Sequence, residues 1–313
     1  MPTDDAPNER IVAILNPSSG SSDGDYRERI ETALRERGAP FEFRETTEER
    51  DGKTLAREAK AEGVVRIMAC GGDGTVTAVI NGIGPNEPGA PPVVLIVVPG
   101  GTANLVAAAL GVPEDVAEAV ALAFDGEDLD VDLGRRDDTL FALGIGVGLT
   151  ERLVTGATSE AKEKIGRLAY LLAMLKEVGT RPQRFELCLD GGERIHDEGV
   201  AVVIANTGEI GHGLSFAPNA RLDDGRLDVC VLRHFGALDL LRLGFNTLVG
   251  RLGQDRAMRF YQAARVELDA DPPLGVQIDG EPAEAKTPIV AEAIPKALRV
   301  RVPRDAESDP KRD

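Results

Sequence analysis

The sequence predicts an α/β protein of two domains: a parallel sheet covered on both faces, then a mainly antiparallel β domain starting near residue 128. Three observations predict it. In the first third, short apolar runs without polar alternation are separated by helical patterns, as expected of strands buried on both faces. Beyond residue 128, nine strand-like runs crowd together, many beside Gly or Pro, the density of an antiparallel sandwich or barrel. The length of 313 residues suits two domains at roughly 100–200 residues each.

The elements follow in order. Residues 10–15 (RIVAIL) form a strand that ends at the turn Asn16-Pro17-Ser18-Ser19-Gly20. Residues 26–37 are a helix, with Tyr26, Ile30 and Leu34 on one face. A strand at 41–44 and a helix at 52–62 come next, then a strand at 64–70 (VVRIMAC) running into Gly71-Gly72 and a helix over 76–83. The strand at 93–98 (VVLIVV) ends at Pro99-Gly100-Gly101. In the second half the strands fall at 129–133, 140–147, 183–189, 199–205, 226–232, 265–268, 275–278, 289–293 and 298–302. Two helices interrupt them, at 165–178 and at 238–252, the second carrying a stripe of Leu238, Leu241, Phe245, Leu248 and Leu252. The domains are therefore expected at 10–127 and 128–303.

Composition removes several classes of function. The net charge of −17 and the absence of Trp speak against nucleic acid as a partner, since a polyanion is repelled and aromatic stacking platforms are scarce. Apolar residues make up 42%, enough for a sizeable core rather than a disordered chain. Cys70, Cys188 and Cys230 are far apart and form no CxxC pair, which excludes a zinc ribbon or a thioredoxin-type centre and fits a reducing compartment. The acidic MPTDDAPNER start lacks the apolar stretch of a secretory leader. The expectation is a cytoplasmic protein.

Three pattern matches fail on context. Gly52-Lys53-Thr54 lacks the earlier glycine of a Walker A loop, because position 47 is Thr47. Gly20-Ser21-Ser22-Asp23-Gly24 fits GxSxG, but it does not sit at a strand end as a nucleophile elbow does. Gly144-Ile145-Gly146-Val147-Gly148 lacks the third glycine of a dinucleotide fingerprint, at Leu149. By contrast, Gly71-Gly72-Asp73-Gly74-Thr75 follows a buried strand and opens a helix. Backbone N–H groups and the positive helix end then point at one spot, and glycines let that backbone approach a phosphate. Asp73 suits such a place if it holds Mg²⁺ or handles a proton. A tight turn needing positive φ explains the glycines but not the whole Asp-Gly-Thr sequence. Pro99-Gly100-Gly101-Thr102-Ala103-Asn104 leaves the next strand in the same way, so two such corners share one sheet edge.

These motifs resemble the catalytic domain of diacylglycerol kinases and sphingosine kinases. The residues that carry the likeness are Gly71-Gly72-Asp73-Gly74-Thr75-Val76, the Asn16-Pro17…Gly20 turn and Gly101-Thr102-Ala103-Asn104. The second half is similar to the bacterial lipid kinase branch through Ala205-Asn206-Thr207 with Gly211…Gly213, the run Ala217-Pro218-Asn219-Ala220-Arg221-Leu222-Asp223-Asp224-Gly225, and Ile278-Asp279-Gly280-Glu281. The resemblance covers about residues 10–303. It implies an NAD-kinase-like parallel sheet followed by a β-sandwich, and transfer of the γ-phosphoryl group of ATP to a lipid hydroxyl in an interdomain cleft.

Carried over residue by residue, the resemblance places ATP at Asn16, Thr46, Gly71, Gly72, Asp73, Gly74, Thr75, Val76, Thr77, Gly101 and Thr102. It makes Glu281 the general base and Asp73 its catalytic companion. Asp224, with the main-chain carbonyls of Arg221 and Arg226, matches a Mg²⁺ site, an oxygen-only set that also suits Ca²⁺. Two departures stand out: Leu105 replaces an Asp that helps hold Mg²⁺ in many members, and Thr77 replaces a common Asn. The bland reading of Asp223-Asp224-Gly225 and of Asp279-Gly280 is a surface β-turn.

The implied partner is a lipid at a membrane surface. Residues 151–184 carry seven basic and four acidic side chains, and 233–262 five and two, so apolar-striped segments of local positive charge lie within an acidic chain. Such helices can rest on an anionic leaflet, or simply pack as core. Two other readings compete with a lipid kinase. An NAD-kinase-like enzyme shares Gly-Gly-Asp-Gly-Thr, and a nucleotide- or lipid-sensing module is kept in view by Leu105.

Overall fold

The computed structural model describes residues 10–18, 25–148, 182–208, 217, 220–233 and 258–304. The expected helices at 165–178 and 238–252 lie outside them, as do Gly20, Gly211, Gly213, Pro218 and Asn219. Among the described residues no helix is long and apolar enough to cross a membrane. The chain divides into two compact units, Met1–Asp132 with Lys296–Asp313, and Leu133–Pro295.

The first unit is built on parallel strands. β1 (Ile11–Leu15), β2 (Phe41–Glu45), β3 (Arg66–Gly71) and β4 (Val94–Pro99) stand in the order β2-β1-β3-β4. All five residues of β1 are buried, and since successive side chains point to opposite faces, both faces are covered. The cover is α1 (Tyr26–Glu36) packed on α5 (Val116–Asp125), and α2 (Gly52–Ala61) packed on α3 (Asp73–Ile83). α2 and α3 approach so closely that a Cβ on Gly82 would lie 2.3 Å from the Lys53 carbonyl oxygen. A short helix, α4 (Leu105–Ala109), follows the β4 loop. Neither α4 nor α5 appears in the sequence reading. The Asp115 side chain caps α5 by accepting from the Ala117 and Glu118 N–H groups.

Because β1 is followed on one side by β2 and on the other by β3, the strand order reverses between β1 and β3. Ligands in open α/β sheets bind at the carboxyl ends of the strands at this reversal. The Asn16 N–H donates to the Cys70 carbonyl there, at 3.2 Å.

The second unit is an antiparallel sandwich rather than a barrel. One sheet runs β12 (Met258–Ala263), β11 (Leu227–Leu232), β10 (Ala201–Ala205), β7 (Gly144–Gly148), β14 (Gly275–Ile278) and β15 (Glu281–Lys286). The other contains β9 (Arg194–Gly199), β8 (Gln183–Leu189), β13 (Arg265–Asp271) and the start of β16 (Ile289–Val302). Ile145, Val147, Val202, Ile204, Val229 and Val231 of one sheet share a core with Phe185, Leu187, Val266 and Leu268 of the other. Every second residue of β13 is buried, the alternation of a strand with one face on a core.

Several boundaries move from those read in the sequence. The strand expected at 140–147 divides into β6 (Thr139–Phe141) and β7, and those expected at 289–293 and 298–302 are one strand, β16. The end of β16 was expected in the second domain, yet Arg299 and Val300 pair in parallel with Val94 and Leu95 of β4. The ladder places residues 296–302 with the first unit, an assignment that local apolar periodicity does not carry.

Candidate active site

The carboxyl ends of β1, β3 and β4 bring together most of the expected nucleotide residues. The Asn16 Nδ2 donates to the Thr75 hydroxyl at 3.4 Å, and Asn16 Oδ1 accepts from the Ser18 N–H at 3.0 Å. Thr46 follows β2, its N–H donating to the Leu15 carbonyl at 2.9 Å. Gly72 is the N-cap of α3 and offers no side chain to its first turn, which leaves early helical N–H groups open. Gly74 is exposed, whereas Thr75 and Val76 are buried. The Val76 N–H is bonded to the Gly72 carbonyl at 3.1 Å, so this residue serves the helix and core. Thr77, on the next turn, accepts from Asn81 Nδ2 through its carbonyl.

The second corner touches the first. The Gly100 N–H donates to the Gly71 carbonyl at 3.0 Å. A Cβ on Gly101 would lie 2.6 Å from the Gly72 Cα, so the two backbones meet at a separation that only glycine allows. Gly100 meets Tyr26 of α1 in the same way: a Cβ there would lie 2.6 Å from the Tyr26 ring carbon Cζ. The Tyr26 hydroxyl donates to the Val98 carbonyl at 2.9 Å, and burial pushes its pKa well above the usual phenol range. Thr102 is exposed at the loop tip. The Gly101 N–H is not open to a ligand, because it donates to Asn104 Oδ1 at 2.8 Å.

Asp73, at the first position of α3, lends Oδ1 to the Val106 N–H of α4 at 2.9 Å. One carboxylate thus joins the two glycine corners. The helix dipole also favours an anion at this end of α3.

In the second unit, Asp279 and Gly280 form a two-residue turn between β14 and β15, both with positive φ (48° and 87°), the type I′ geometry for which Asp-Gly is preferred. The Asp279 carboxylate is buried and accepts from the N–H groups of Ala142, Leu143 and Gly144 at 2.8–3.0 Å. Glu281, the first residue of β15, is exposed. The Asp-Gly-Glu sequence therefore divides its work: the aspartate fixes the turn and the glutamate is presented to solvent.

The expected cation site lies in another turn of this unit. Asp224 Oδ1 accepts from the Arg226 N–H at 2.9 Å, and Oδ2 from Gln262 Nε2 at 2.8 Å. Gln262 also reaches Asp228 Oδ2 at 3.5 Å. Burial, with the Gln262 hydrogen bond opposing it and the Asp224 charge adding to it, pushes the Asp228 pKa up to about 6. Asp224 in the turn and Asp228 at the start of β11 share Gln262 Nε2, and carboxylate oxygens are the ligand type a hard divalent cation takes. Among the described residues, however, no group of three or more His, Cys, Asp and Glu forms a cage.

Sequence reasoning missed Tyr26, Asp228 and Gln262. An acidic residue inside the otherwise apolar run LDVCVL was a readable signal for Asp228. Tyr26 was legible only as part of an apolar helix face, and nothing local marked its contact with Gly100 or the role of Gln262, since both depend on partners far away in the chain.

Comparison with known proteins gives two family matches and a set of close relatives. The diacylglycerol kinase catalytic domain matches residues 10–136, and the YegS C-terminal NAD kinase beta sandwich-like domain matches 145–302. A Salmonella heidelberg protein named "Probable lipid kinase YegS" is 33% identical over 300 residues, covering 94% of this chain and 96% of its own. A Chromohalobacter salexigens relative named "Probable lipid kinase YegS-like" is 32% identical over 250 residues, covering 80% of each chain. Among solved structures, a candidate diacylglycerol kinase from Bacillus anthracis str. Sterne superposes with a TM-score of 0.81 at 24% identity, covering 98% of this chain and 99% of that one. An NAD kinase from Archaeoglobus fulgidus, solved with ATP, shares the fold more distantly, with a TM-score of 0.52 at 15% identity over 95% of each chain.

Proposed function

We propose, since the chain belongs to the bacterial YegS branch of the diacylglycerol kinase catalytic-domain family, that it transfers the γ-phosphoryl group of ATP to the hydroxyl of a diacylglycerol-like or sphingoid-like lipid. The observation that carries this reading is the contact of two glycine corners at the strand-order reversal, beside the open N-terminus of α3. Phosphoryl transfer needs charge stabilisation and an in-line hydroxyl more than covalent machinery. The N–H groups at Gly72, Asp73 and Gly74 hold the phosphates, and the Thr75 hydroxyl and Asn16 amide brace that corner. Asp73 keeps one carboxylate oxygen beyond its bond to Val106. That oxygen would be the protein ligand of a Mg²⁺ ion, which takes one or two carboxylates in sites of this kind. Such an ion, when bound, neutralises charge on the β- and γ-phosphates.

Glu281 is assigned as the general base. It takes the proton of the acceptor hydroxyl while Asp279 fixes the turn that carries it. In this proposal the acceptor hydroxyl is brought to the terminal phosphate of the nucleotide. Asp224, with the carbonyls of Arg221 and Arg226, would hold a structural Mg²⁺ or Ca²⁺. The acceptor is drawn from an anionic membrane surface by the basic segments at 151–184 and 233–262, most of which lie outside the described residues. Flotation with anionic vesicles at low salt tests this last point, and a chain that stays with the soluble fraction contradicts it.

Radiolabelled ATP offered with diacylglycerol, a sphingoid base, ceramide, phosphatidylglycerol or NAD tests the reaction itself. Label in a lipid fraction is expected. Label in NAD alone supports the NAD-kinase-like reading, and nucleotide binding without any transfer supports a sensing module.

A further inference from the structure

We infer that Asn104 is a positioning residue for the nucleotide, acting through the peptide of Gly101. The inference rests on the nucleotide reading of the two glycine corners. Asn104 has φ 47° and ψ 45°, a left-handed conformation that Asn tolerates better than most side chains but still at a cost. Its amide makes two hydrogen bonds to one residue: Oδ1 accepts from the Gly101 N–H and Nδ2 donates to the Gly101 carbonyl, both at 2.8 Å. No other side chain of this length offers a donor and an acceptor side by side for such a pairing. Its own carbonyl meanwhile accepts from the Ala108 N–H at 2.9 Å, starting α4.

The consequence lies in what surrounds Gly101. A Cβ there would meet both the Gly72 Cα, at 2.6 Å, and Asn104 Oδ1, at 3.1 Å. Gly101 is thus packed on the first corner and bonded through both its N–H and its carbonyl to the asparagine amide. Its N–H is withdrawn from the set of phosphate donors, and Thr102 and Ala103, both exposed, form the part of the loop left to face a ligand. Asp73 ties the residue two beyond Asn104 to the first corner, through the Val106 N–H. A loop fixed in its bound shape before the ligand arrives loses less entropy on binding. Asn104 supplies that fixation without touching the nucleotide.

The test uses the full chain with Asn104→Gly and Asn104→Ala, titrated calorimetrically with Mg·ATP and melted in parallel. Glycine adopts the left-handed conformation freely but lacks the amide, whereas alanine lacks the amide and is strained as well. If Asn104 positions the loop, both variants lose about tenfold or more in ATP affinity, while Asn104→Gly melts closer to wild type than Asn104→Ala does. Wild-type affinity in a folded Asn104→Gly overturns the inference alone and leaves only a backbone role for the residue. Should Asn104→Ala fail to fold, Asn104→Gly decides by itself. A wild-type chain that binds no nucleotide overturns the nucleotide reading, and this inference with it.

Discussion

Around Gly72 and Gly101 the first unit brings two backbones together and uses side chains only to hold them: the Asn104 amide, the Asp73 carboxylate and the Tyr26 ring. The Asp279 hairpin of the second unit also ties a side chain to backbone, through three N–H groups, but its purpose is to carry an exposed carboxylate at Glu281. The comparison teaches which acidic residue of a motif is free to react. In Gly-Gly-Asp-Gly-Thr the aspartate has one oxygen engaged, and in Asp-Gly-Glu the aspartate is wholly interior. The hydrogen-bond partner decides the role, and the letter in the motif does not.

The contrast can be broken most severely at the backbone contact. Gly101→Ala places a Cβ 2.6 Å from the Gly72 Cα, so the corners must part. A misplacement of about 1 Å at such a site costs on the order of 10²-fold. That loss is expected in the rate of phosphoryl transfer, with a cooperative melt retained. The hairpin can be broken at Asp279. Its replacement by Ala leaves three buried N–H groups without an acceptor and is expected to cost about 3 kcal/mol in denaturant unfolding. Glu281→Ala, on the exposed side of the same turn, is expected to shift stability by less than about 0.5 kcal/mol. Equal losses at the two positions would remove the division of labour.

Smaller effects sharpen the picture. Leu105 opens α4, next to the Asn104 clamp, where the family resemblance places an Asp. Leu105→Asp adds a carboxylate beside the nucleotide loops and is expected to lower the Mg²⁺ concentration for half-maximal transfer several-fold. An unchanged Mg²⁺ dependence would exclude this position from metal binding. Asp51, which caps α2 by accepting from the Thr54 N–H at 2.8 Å, is a simple case of a carboxylate holding backbone. That bond, with the Thr54 hydroxyl, holds its pKa below the usual carboxylate range. A lowered folded pKa gives stability present above the unfolded value near ~3.9 and lost as pH falls through the folded one. Asp51→Ala is therefore expected to cost about 1 kcal/mol at pH 7, with the gap to wild type narrowing as the pH falls below about 4 in acid-titrated melts.

Much of this architecture was legible in the sequence, for identifiable reasons. The runs at 10–15, 64–70 and 93–98 lack polar alternation because both faces of β1, β3 and β4 are covered, and that pattern alone predicts a parallel sheet. The two glycine corners were visible because a strand end followed by paired glycines has few other uses. Less was legible where long-range pairing decides. The strand β15 (EPAEAK) is polar and mostly exposed, with only Ala283 and Ala285 half-buried, too weak an apolar period to read, and it exists because the type I′ turn folds it back on β14. The return of residues 296–302 to the first unit depends on the ladder with β4. That Gly101 spends its N–H on Asn104 could not be read from a motif that shows both residues as equals.

The most direct test of the account measures phosphoryl transfer and ATP binding on the same sample of Glu281→Gln. The substitution keeps the size and removes the base, so transfer to lipid is predicted to fall by about 10²-fold or more while ATP affinity stays at the wild-type value. Transfer at the wild-type rate would contradict the assignment of Glu281, and with it the idea that the second unit supplies the reacting carboxylate.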